Sequence, residues 1–371
     1  MKVLLTGTAG GAGWPEPGCR CVSCAALPSG HRRPFGAVVD GLARFSLTDG
    51  FTSGSPDSPD GRAGRAGGVL PDGYRACAGG LALTCPDGSS LLCLPPGRPV
   101  PADGPARYDV VLIDLLDRPE RLGELRRAGL VDGATLVVAA WLDHRVRSEE
   151  ELARRLRLWG ARLVTDGAEL NVTTAGAEPD VTAGGPELNM TAAGAAQDPP
   201  PRRALLLGGS RSGKSAEAEL WLAAEPYVTY VATGPDGAGD GEWAARVRAH
   251  RERRPAHWDT AETIDLVTAI RSATAPLLVD GLGTWLAAVF DEHGAWEGDR
   301  APVEARCDEL VAAWRQTPER IVAVSDEVGL GVVPATASGR AFRDALGRLN
   351  ARLAAESEQA ALVVAGRVLD L

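Results

Sequence analysis

Residues 204–215 read Ala-Leu-Leu-Leu-Gly-Gly-Ser-Arg-Ser-Gly-Lys-Ser. The four apolar residues predict a buried strand, and the eight from Gly208 to Ser215 match the pattern Gly-x4-Gly-Lys-Ser/Thr without a mismatch. Glycines at these positions let backbone N–H groups turn inward around a phosphate, and the N-terminus of the following helix adds partial positive charge. The segment therefore predicts a strand, a phosphate-binding loop and a helix.

The lysine of this loop is chemically distinctive, because Lys214 and Lys2 are the only lysines among 371 residues. Arginine cannot replace lysine where a compact point charge is needed. We predict that Lys214 contacts the terminal phosphates of ATP or GTP and acts in catalysis, and that Ser215 binds Mg²⁺. The rest of the predicted phosphate site comprises Gly208, Gly209, Ser210, Arg211, Ser212 and Gly213.

A site of this kind also needs an acidic residue at the end of a neighbouring strand, which binds Mg²⁺ directly or through a water molecule. Asp280 follows the apolar run 277–279 and is the predicted second Mg²⁺ ligand. The alternative role for Asp280 is that of a helix cap before Gly281.

Short apolar runs alternate with helical segments throughout residues 202–371. Strands are predicted at 204–207, 227–232, 276–279, 320–324 and 361–365. Helices are predicted at 213–224, 242–253, 263–272, 282–292, 302–315 and 340–357. This alternation predicts an α/β domain with a RecA-like parallel sheet and helices on both faces.

The N-terminal half is richer in turns and predicts a mixed-sheet α/β or α+β domain over residues 1–167. Its predicted strands are 3–5, 81–84, 91–94, 110–113 and 135–139, and its predicted helices are 119–128 and 148–159. Residues 168–201 are rich in Ala, Gly, Thr and Pro and end in three prolines, which predicts an interdomain linker. A surface insertion within one domain is the alternative.

Composition narrows the classes of function. The formal net charge is −10, which gives no electrostatic reason to expect a nucleic acid as partner. The sequence has no run of 18 apolar residues, so we expect no transmembrane helix. An early glycine interrupts the N-terminal apolar stretch and argues against a secretory signal. We therefore expect a cytoplasmic protein.

A basic segment at residues 242–255 places His250 among several arginines. One interpretation is a solvated charged helix face. The other is a nucleophilic histidine that attacks an α-phosphorus while arginines neutralise the developing charge.

Several motifs in order make residues 204–371 resemble the bifunctional adenosylcobinamide kinase/adenosylcobinamide-phosphate guanylyltransferase family. Beyond the phosphate loop, they are Tyr230-Val231-Ala232-Thr233, Arg246-Val247-Arg248-Ala249-His250-Arg251, Arg254-Pro255-Ala256-His257-Trp258, Glu327-Val328-Gly329-Leu330-Gly331-Val332-Val333-Pro334, Phe342-Arg343-Asp344 and Gly347-Arg348-Leu349-Asn350. The chain departs from the family at Ser210, usually Ala, and at Asp326, usually Asn.

This resemblance implies a two-step reaction. ATP or GTP would phosphorylate adenosylcobinamide, and GTP would then transfer GMP through a guanylyl adduct on His250 to give adenosyl-GDP-cobinamide. It also implies a small homo-oligomer. The nucleotide-binding residues that it adds are Ala232, Thr233, Gly234, Arg251, Glu252, Arg253, Arg254, Glu262 and Asp280.

The sequence from Gly18 to Cys24 carries three closely spaced cysteines, Cys19, Cys21 and Cys24. Such thiolates can supply three ligands to a tetrahedral Zn²⁺, although three unrelated thiols are the alternative. With the preceding turn, the cluster resembles the start of PhnP-like phosphodiesterases of the metallo-β-lactamase fold. That resemblance implies an αββα domain with a structural zinc on these cysteines and His144.

The catalytic histidine pattern of that second family is missing, because His31 and His144 are the only histidines before the linker. Trp141 stands where the family carries another metal-binding histidine. We therefore predict a degenerate, non-catalytic N-terminal domain. Two functional alternatives stay open for the whole chain: a P-loop small-molecule kinase without guanylyl transfer, and a nucleotide-binding scaffold protein.

Overall fold

The computed structural model describes residues 1–47, 50–53, 70–172, 180–182, 200–234, 248, 252 and 254–371. The chain divides into two compact units, Met1–Pro200 and Pro201–Leu371. Each unit is described by itself.

Two sheets form the N-terminal unit. The first is antiparallel, with order β11-β10-β1-β2-β3-β4, and consists of β1 Lys2–Gly7, β2 Gly36–Val39, β3 Ala43–Ser46, β4 Gly50–Ser53, β10 Glu169–Asn171 and β11 Asp180–Thr182. The second has order β5-β6-β7-β8-β9 and consists of β5 Arg75–Cys77, β6 Ala82–Thr84, β7 Ser90–Leu94, β8 Val110–Ile113 and β9 Leu136–Ala139. The β7, β8 and β9 strands are parallel to one another.

Helices α1 Val22–Ala25, α2 Glu120–Arg127 and α3 Glu149–Leu158 complete this unit, with a 3₁₀ turn at Ala78–Gly80. The two sheets share one core, since alternate residues of both enter the same apolar cluster, including Val3, Leu5, Phe45, Leu91, Cys93, Val110 and Leu112. The other face of the second sheet is buried as well, at Leu92, Leu94, Val111 and Ile113. A covering layer is therefore required, and α2 and α3 each bury an apolar face.

The start of the predicted linker is wrong. Glu169–Asn171 pairs antiparallel with β1, and Ala168 and Leu170 are buried in the core of the N-terminal unit. Their alternation of one apolar residue with polar neighbours is that of a short strand, which the surrounding Ala- and Gly-rich composition obscured. Residues 173–179 and 183–199 of the predicted linker lie outside the described part of the chain.

The C-terminal unit contains a seven-stranded sheet of order β14-β13-β15-β16-β12-β17-β18. Its strands are β12 Arg203–Gly208, β13 Thr229–Ala232, β14 Asp259–Glu262, β15 Leu277–Asp280, β16 Ile321–Asp326, β17 Gln359–Val364 and β18 Arg367–Asp370. All pairs are parallel except β17 with β18. The helices are α4 Lys214–Leu222, α5 Leu266–Arg271, α6 Leu282–Glu292, α7 Ala301–Gln316 and α8 Ala337–Ala355.

Helices cover both faces of this sheet. Leu205, Leu207 and Ala323 share a core with apolar residues of α5, α6, α7 and α8. Their neighbours Leu206 and Val324, which point to the opposite face, are also buried, and α4 buries Trp221 and Leu222. The predicted α/β class with a parallel, helix-covered sheet is confirmed.

Two strands of the C-terminal sheet were not predicted. β14 reads Asp-Thr-Ala-Glu and β18 reads Arg-Val-Leu-Asp, and both are largely exposed. They are the two edge strands, which need no continuous apolar run because neither face is fully covered. The predicted helix 242–253 falls mostly outside the described residues. The two residues of this range that the structure describes, Arg248 and Glu252, are helical.

Candidate active site and metal centre

The phosphate-binding loop connects β12 to α4 at the carboxyl edge of the parallel sheet. Gly208 ends the strand, and Gly213, with φ 97°, precedes the first helical residue, Lys214. A Cβ on Gly208 would lie 2.6 Å from both the Ser212 hydroxyl and the Val363 carbonyl oxygen, so this position requires glycine. The loop conformation thus depends on the two glycines that define the sequence motif.

Neighbouring strands hold the loop from two sides. The Glu327 N–H donates to the Gly208 carbonyl at 3.1 Å, and the Gly366 N–H donates to the Ser212 carbonyl at 2.8 Å. Glu327 follows β16, and Gly366 lies in the turn between β17 and β18. The parallel sheet therefore fixes both ends of the loop, which favours a preformed phosphate site.

Lys214 is held at the loop by an acidic partner that the motif did not predict. Its side chain is 8% exposed and its Nζ lies 2.8 Å from an Asp326 carboxylate oxygen. The same Nζ donates to the Gly209 carbonyl at 3.1 Å. Asp326 ends β16, the parallel neighbour of β12. The position of Asp326 at the carboxyl end of an apolar run was the sequence signal that could have indicated this pair.

Ser215 and Asp280 lie together, as the predicted Mg²⁺ site requires. The Ser215 hydroxyl donates to Asp280 Oδ1 at 3.1 Å. Helix α6 is capped at Gly281 without any side-chain cap, so the alternative role of Asp280 as a helix cap is not observed. Hydroxyl and carboxylate oxygens are the hard donors that Mg²⁺ prefers, so this pair fits the ion.

The sheet brings four further predicted residues to the same edge. Ala232 is paired with Asp280 on one side and with Glu262 on the other. Thr233 is 3% exposed, and its hydroxyl donates to the Gly281 carbonyl at 2.6 Å. Gly234 follows and is partly exposed. The Thr233 side chain thus stabilises the carboxyl edge of the sheet. At the same edge, Ala232 and Gly234 provide backbone groups and Glu262 provides a carboxylate.

A tyrosine that sequence reasoning did not single out connects two predicted site residues. The Tyr230 hydroxyl donates to Asp280 Oδ2 at 2.5 Å. The Arg254 guanidinium lies 3.3 Å from the centroid of the same ring. Burial, together with the adjacent Asp280 carboxylate, raises the Tyr230 pKa, so the hydroxyl remains a donor.

The predicted nucleophile lies outside the described residues, as do Arg251 and Arg253. Glu252 is helical and exposed, and Arg254, the next described residue, is partly buried. The geometry of His250 therefore stays a prediction.

The N-terminal unit contains a second cluster of chemically functional groups. The ligand atoms of Cys19, Cys21, Cys24 and His144 all lie within 4.8 Å of one another. His144 Nδ1 is 3.5 Å from Cys19 Sγ and 3.6 Å from Cys24 Sγ. The structure therefore brings all four predicted Zn²⁺ ligands together, and three sulfurs with one imidazole nitrogen form a donor set that suits tetrahedral Zn²⁺.

Backbone geometry and burial act differently on two of these thiols. The Cys24 N–H lies 3.4 Å from Cys21 Sγ, and this backbone hydrogen bond lowers the Cys21 pKa. Burial raises the Cys24 pKa to about 11. Cys21 is the N-cap of the short helix α1 and accepts from the Cys24 N–H, which brings the Cys21 and Cys24 side chains close together.

Trp141 occupies a position unsuited to any metal. Its side chain is 2% exposed, and its backbone has a φ of 57°. Its ring centroid lies 4.0 Å from that of Phe35, with Phe45 packed nearby. Trp141 therefore belongs to an aromatic cluster of the N-terminal core, and the non-catalytic character of this unit stays a prediction.

Among the described residues, no helix is both long and apolar enough to cross a bilayer.

Comparison with known proteins covers the C-terminal unit. The family described as "Cobinamide kinase / cobinamide phosphate guanyltransferase" matches residues 204–371. A solved ATPase from a bacterial type III secretion system aligns with 43% of this chain and 50% of its own at 12% identity, and its TM-score of 0.29 supports no argument.

Three curated relatives are bifunctional adenosylcobalamin biosynthesis proteins. CobU of Salmonella typhimurium is 40% identical over 174 residues, which is 44% of this chain and 95% of that protein. CobU of Escherichia coli is 35% identical over 177 residues, with 44% and 95% coverage. CobP of Pseudomonas aeruginosa is 41% identical over 177 residues, with 46% and 96% coverage. The resemblance identified from the motifs is confirmed, and through residues 204–371 the chain belongs to the cobinamide kinase/cobinamide phosphate guanyltransferase family.

Proposed function

We propose that this protein phosphorylates adenosylcobinamide with ATP or GTP and then transfers GMP from GTP to the new phosphate. The observation that carries the proposal is the preformed phosphate loop, with Lys214, Ser215 and Asp280 at one edge of the sheet, in a chain of this family. This two-step activity would make the protein a transferase of adenosylcobalamin biosynthesis.

In the first step, the acceptor hydroxyl attacks the γ-phosphorus, the bond from that phosphorus to the β,γ-bridging oxygen breaks, and a nucleoside diphosphate leaves. The loop N–H groups and the Lys214 ammonium orient the phosphates and stabilise the negative charge of the transition state. Ser215 and Asp280 would hold Mg²⁺, which supplies further charge neutralisation at the β- and γ-phosphates.

In the second step, the His250 imidazole attacks the α-phosphorus of GTP, and pyrophosphate leaves. The phosphate of the cobinamide product then attacks that phosphorus, which breaks the phosphorus–nitrogen bond and frees His250. Arg251, Arg253 and Arg254 would neutralise the charge on the reacting phosphorus, and Glu252 and Glu262 would line the same nucleotide site.

Labelling with radioactive GTP tests the second step. We expect an acid-labile, alkali-stable GMP adduct on the wild-type protein and none on His250→Ala. His257→Ala is the matched control, because this second histidine of the same segment is not the proposed nucleophile and should leave labelling intact. A His250→Ala protein that still labels would disprove the nucleophile.

The same measurements separate the two alternatives. A small-molecule kinase without guanylyl transfer would release phosphorylated adenosylcobinamide and leave the protein unlabelled. A nucleotide-binding scaffold would bind GTP tightly and would show no turnover of adenosylcobinamide with ATP or GTP.

We also propose that Cys19, Cys21, Cys24 and His144 bind one structural Zn²⁺. The convergence of these four ligand atoms supports the site. Metal analysis of the purified protein should give about one zinc per chain, and Cys24→Ser should lower that content, whereas Cys93→Ser, a fully buried cysteine elsewhere in the unit, should not. Zinc-free wild-type protein would refute this site.

We further propose that residues 202–371 form the catalytic domain and that the N-terminal domain is a degenerate metallo-β-lactamase-like unit without catalysis of its own. A small homo-oligomer in the cytoplasm is the form we expect, which light scattering of the purified protein and fractionation of cells can check.

A further inference from the structure

We propose that Tyr230 is a positioning residue that orients Asp280 for Mg²⁺ and, through its ring, holds Arg254 beside the nucleotide. The proposal rests on the proposed role of Asp280 as Mg²⁺ ligand. Tyr230 would thereby connect the metal site to the segment that carries His250.

The two oxygens of Asp280 have different partners. Ser215, from the phosphate loop, donates to Oδ1 at 3.1 Å. Tyr230, from the adjacent parallel strand β13, donates to Oδ2 at 2.5 Å. These two hydrogen bonds fix the plane of the carboxylate, with Oδ1 directed to the loop where the phosphates and Mg²⁺ would bind.

The donor is well placed to keep this role. The Tyr230 side chain is 3% exposed, so neither water nor another rotamer readily replaces the contact. A neutral donor on the outer oxygen stabilises the carboxylate without competing for the metal, as outer hydrogen bonds to metal ligands do.

The face of the Tyr230 ring has a second contact. The Arg254 guanidinium stacks on it at 3.3 Å from the centroid, and Arg254 NH1 also donates to Thr260 at 3.3 Å. A stacked guanidinium has a fixed orientation and keeps its charge, whereas a lysine would not stack in this manner. Arg254 lies four residues after His250, so Tyr230 supports both the metal ligand and the end of the basic segment.

Mn²⁺ binding to the GTP complex, followed by electron paramagnetic resonance, tests the first half of the proposal. Tyr230→Phe keeps the ring and removes the hydroxyl, and we expect the Mn²⁺ dissociation constant to rise about tenfold, a typical effect of losing an outer hydrogen bond to a metal ligand. Tyr227→Phe is the control, because Tyr227 is 56% exposed and precedes the amino end of the same strand. Unchanged Mn²⁺ affinity in Tyr230→Phe would overturn the positioning role.

GTP binding without divalent metal tests the second half. Tyr230→Phe should bind metal-free GTP like the wild type, because Arg254 keeps its platform, whereas Tyr230→Leu should bind it several-fold more weakly. Equal affinities for the two variants would overturn the link to Arg254. Circular dichroism shows whether Tyr230→Leu folds. If it does not, Arg254→Lys takes its place and is made in both the wild-type and the Tyr230→Phe proteins. We expect weaker binding of metal-free GTP in both cases, and unchanged GTP binding would overturn the link to Arg254.

These measurements need GTP and metal only. A protein that binds both as expected but does not turn over adenosylcobinamide would contradict the proposed function and leave the role of Tyr230 supported.

Discussion

The ion pair between Lys214 and Asp326 involves one of the two positions at which the sequence departs from the pattern of the family that it resembles. The sequence motif predicts the lysine, but its carboxylate partner comes from a strand more than a hundred residues further along the chain. An asparagine in place of Asp326 could accept a hydrogen bond from Lys214 but would not neutralise its charge. Incoming phosphates must therefore compete with Asp326 for the lysine in this protein.

Asp326→Asn should tighten nucleotide binding. Because Asp326 is 42% exposed, the pair contributes at most about 1 kcal/mol, so we expect the dissociation constant for GTP to fall by up to about fivefold in calorimetry. Asp308→Asn is the control with the same change in charge, since Asp308 pairs with Arg352 on other helices. Weaker binding by Asp326→Asn would show that Asp326 instead places Lys214 for the phosphates.

The buried guanidinium of Arg32 stabilises the N-terminal unit through its contacts. The Arg32 side chain is 3% exposed, donates to Thr8 and the Val164 carbonyl, and pairs with Glu149, which also contacts His31 at 2.9 Å. Burial raises the Glu149 pKa, but the contacts with Arg32 and His31 outweigh it and the net shift is downward. Glu149 therefore stabilises the fold as a carboxylate.

Glu149→Gln should lower the free energy of unfolding of this unit by about 1–3 kcal/mol at pH 7, because it leaves the Arg32 charge buried without its partner. Since the folded pKa is lowered from the usual 4.5, the contribution is present above that pH and disappears as the pH falls through the folded pKa. Urea unfolding over a series of pH values downward from pH 7 checks this, with exposed Glu150→Gln as control. A difference in the free energy of unfolding that does not shrink at any acidic pH would contradict it.

At the scale of elements, the C-terminal sheet shows why the phosphate loop has one conformation. The loop is enclosed by β12, α4 and the turn after β17, and a Cβ on Gly213 would lie 3.4 Å from Gly366. Gly213 also has a φ of 97°, a conformation that an L-residue rarely adopts. The positive φ therefore imposes glycine, whereas the contact with Gly366 would be an ordinary van der Waals contact for a Cβ.

Gly213→Ala should lower GTP affinity at least tenfold and reduce stability by about 1–3 kcal/mol, through backbone strain at the start of α4. Calorimetric binding and thermal unfolding measure the two effects. Gly347→Ala provides the control, because Gly347 lies within α8 with open space around its Cβ position, and alanine there should be neutral or stabilising by up to about 1 kcal/mol. Wild-type affinity in Gly213→Ala would contradict the strain argument.

For the whole molecule, the two units have separate apolar cores, each built from residues of one unit. The proposed zinc site belongs to the N-terminal unit, and the nucleotide site belongs to the C-terminal sheet. Separate cores allow each unit to keep its own stability. Metal loss at the cysteines should therefore be a local event.

A zinc-selective chelator, with Mg²⁺ present, should lower the melting temperature of the N-terminal unit by on the order of 10 °C while GTP labelling of His250 persists. Differential scanning calorimetry and the labelling experiment, run on the same samples, measure both. Loss of labelling on chelation would mean that the zinc site supports the nucleotide site.

The sequence by itself determined the features that are written in short segments. The strand, glycine loop and lysine at 204–215, the apolar central strands and the C-x-C-x2-C spacing predicted the C-terminal fold class, the phosphate loop and a candidate zinc site, because local backbone requirements and continuous burial leave direct patterns. The edge strands β14 and β18 and the strand at Glu169–Asn171 left none, since half-exposed strands lack such runs. The tertiary structure decided which other distant side chains meet. Asp326 at Lys214 and Tyr230 at Asp280 are pairs made by sheet order, and no spacing along the chain determines them, whereas His144 at the cysteines was expected from the family resemblance.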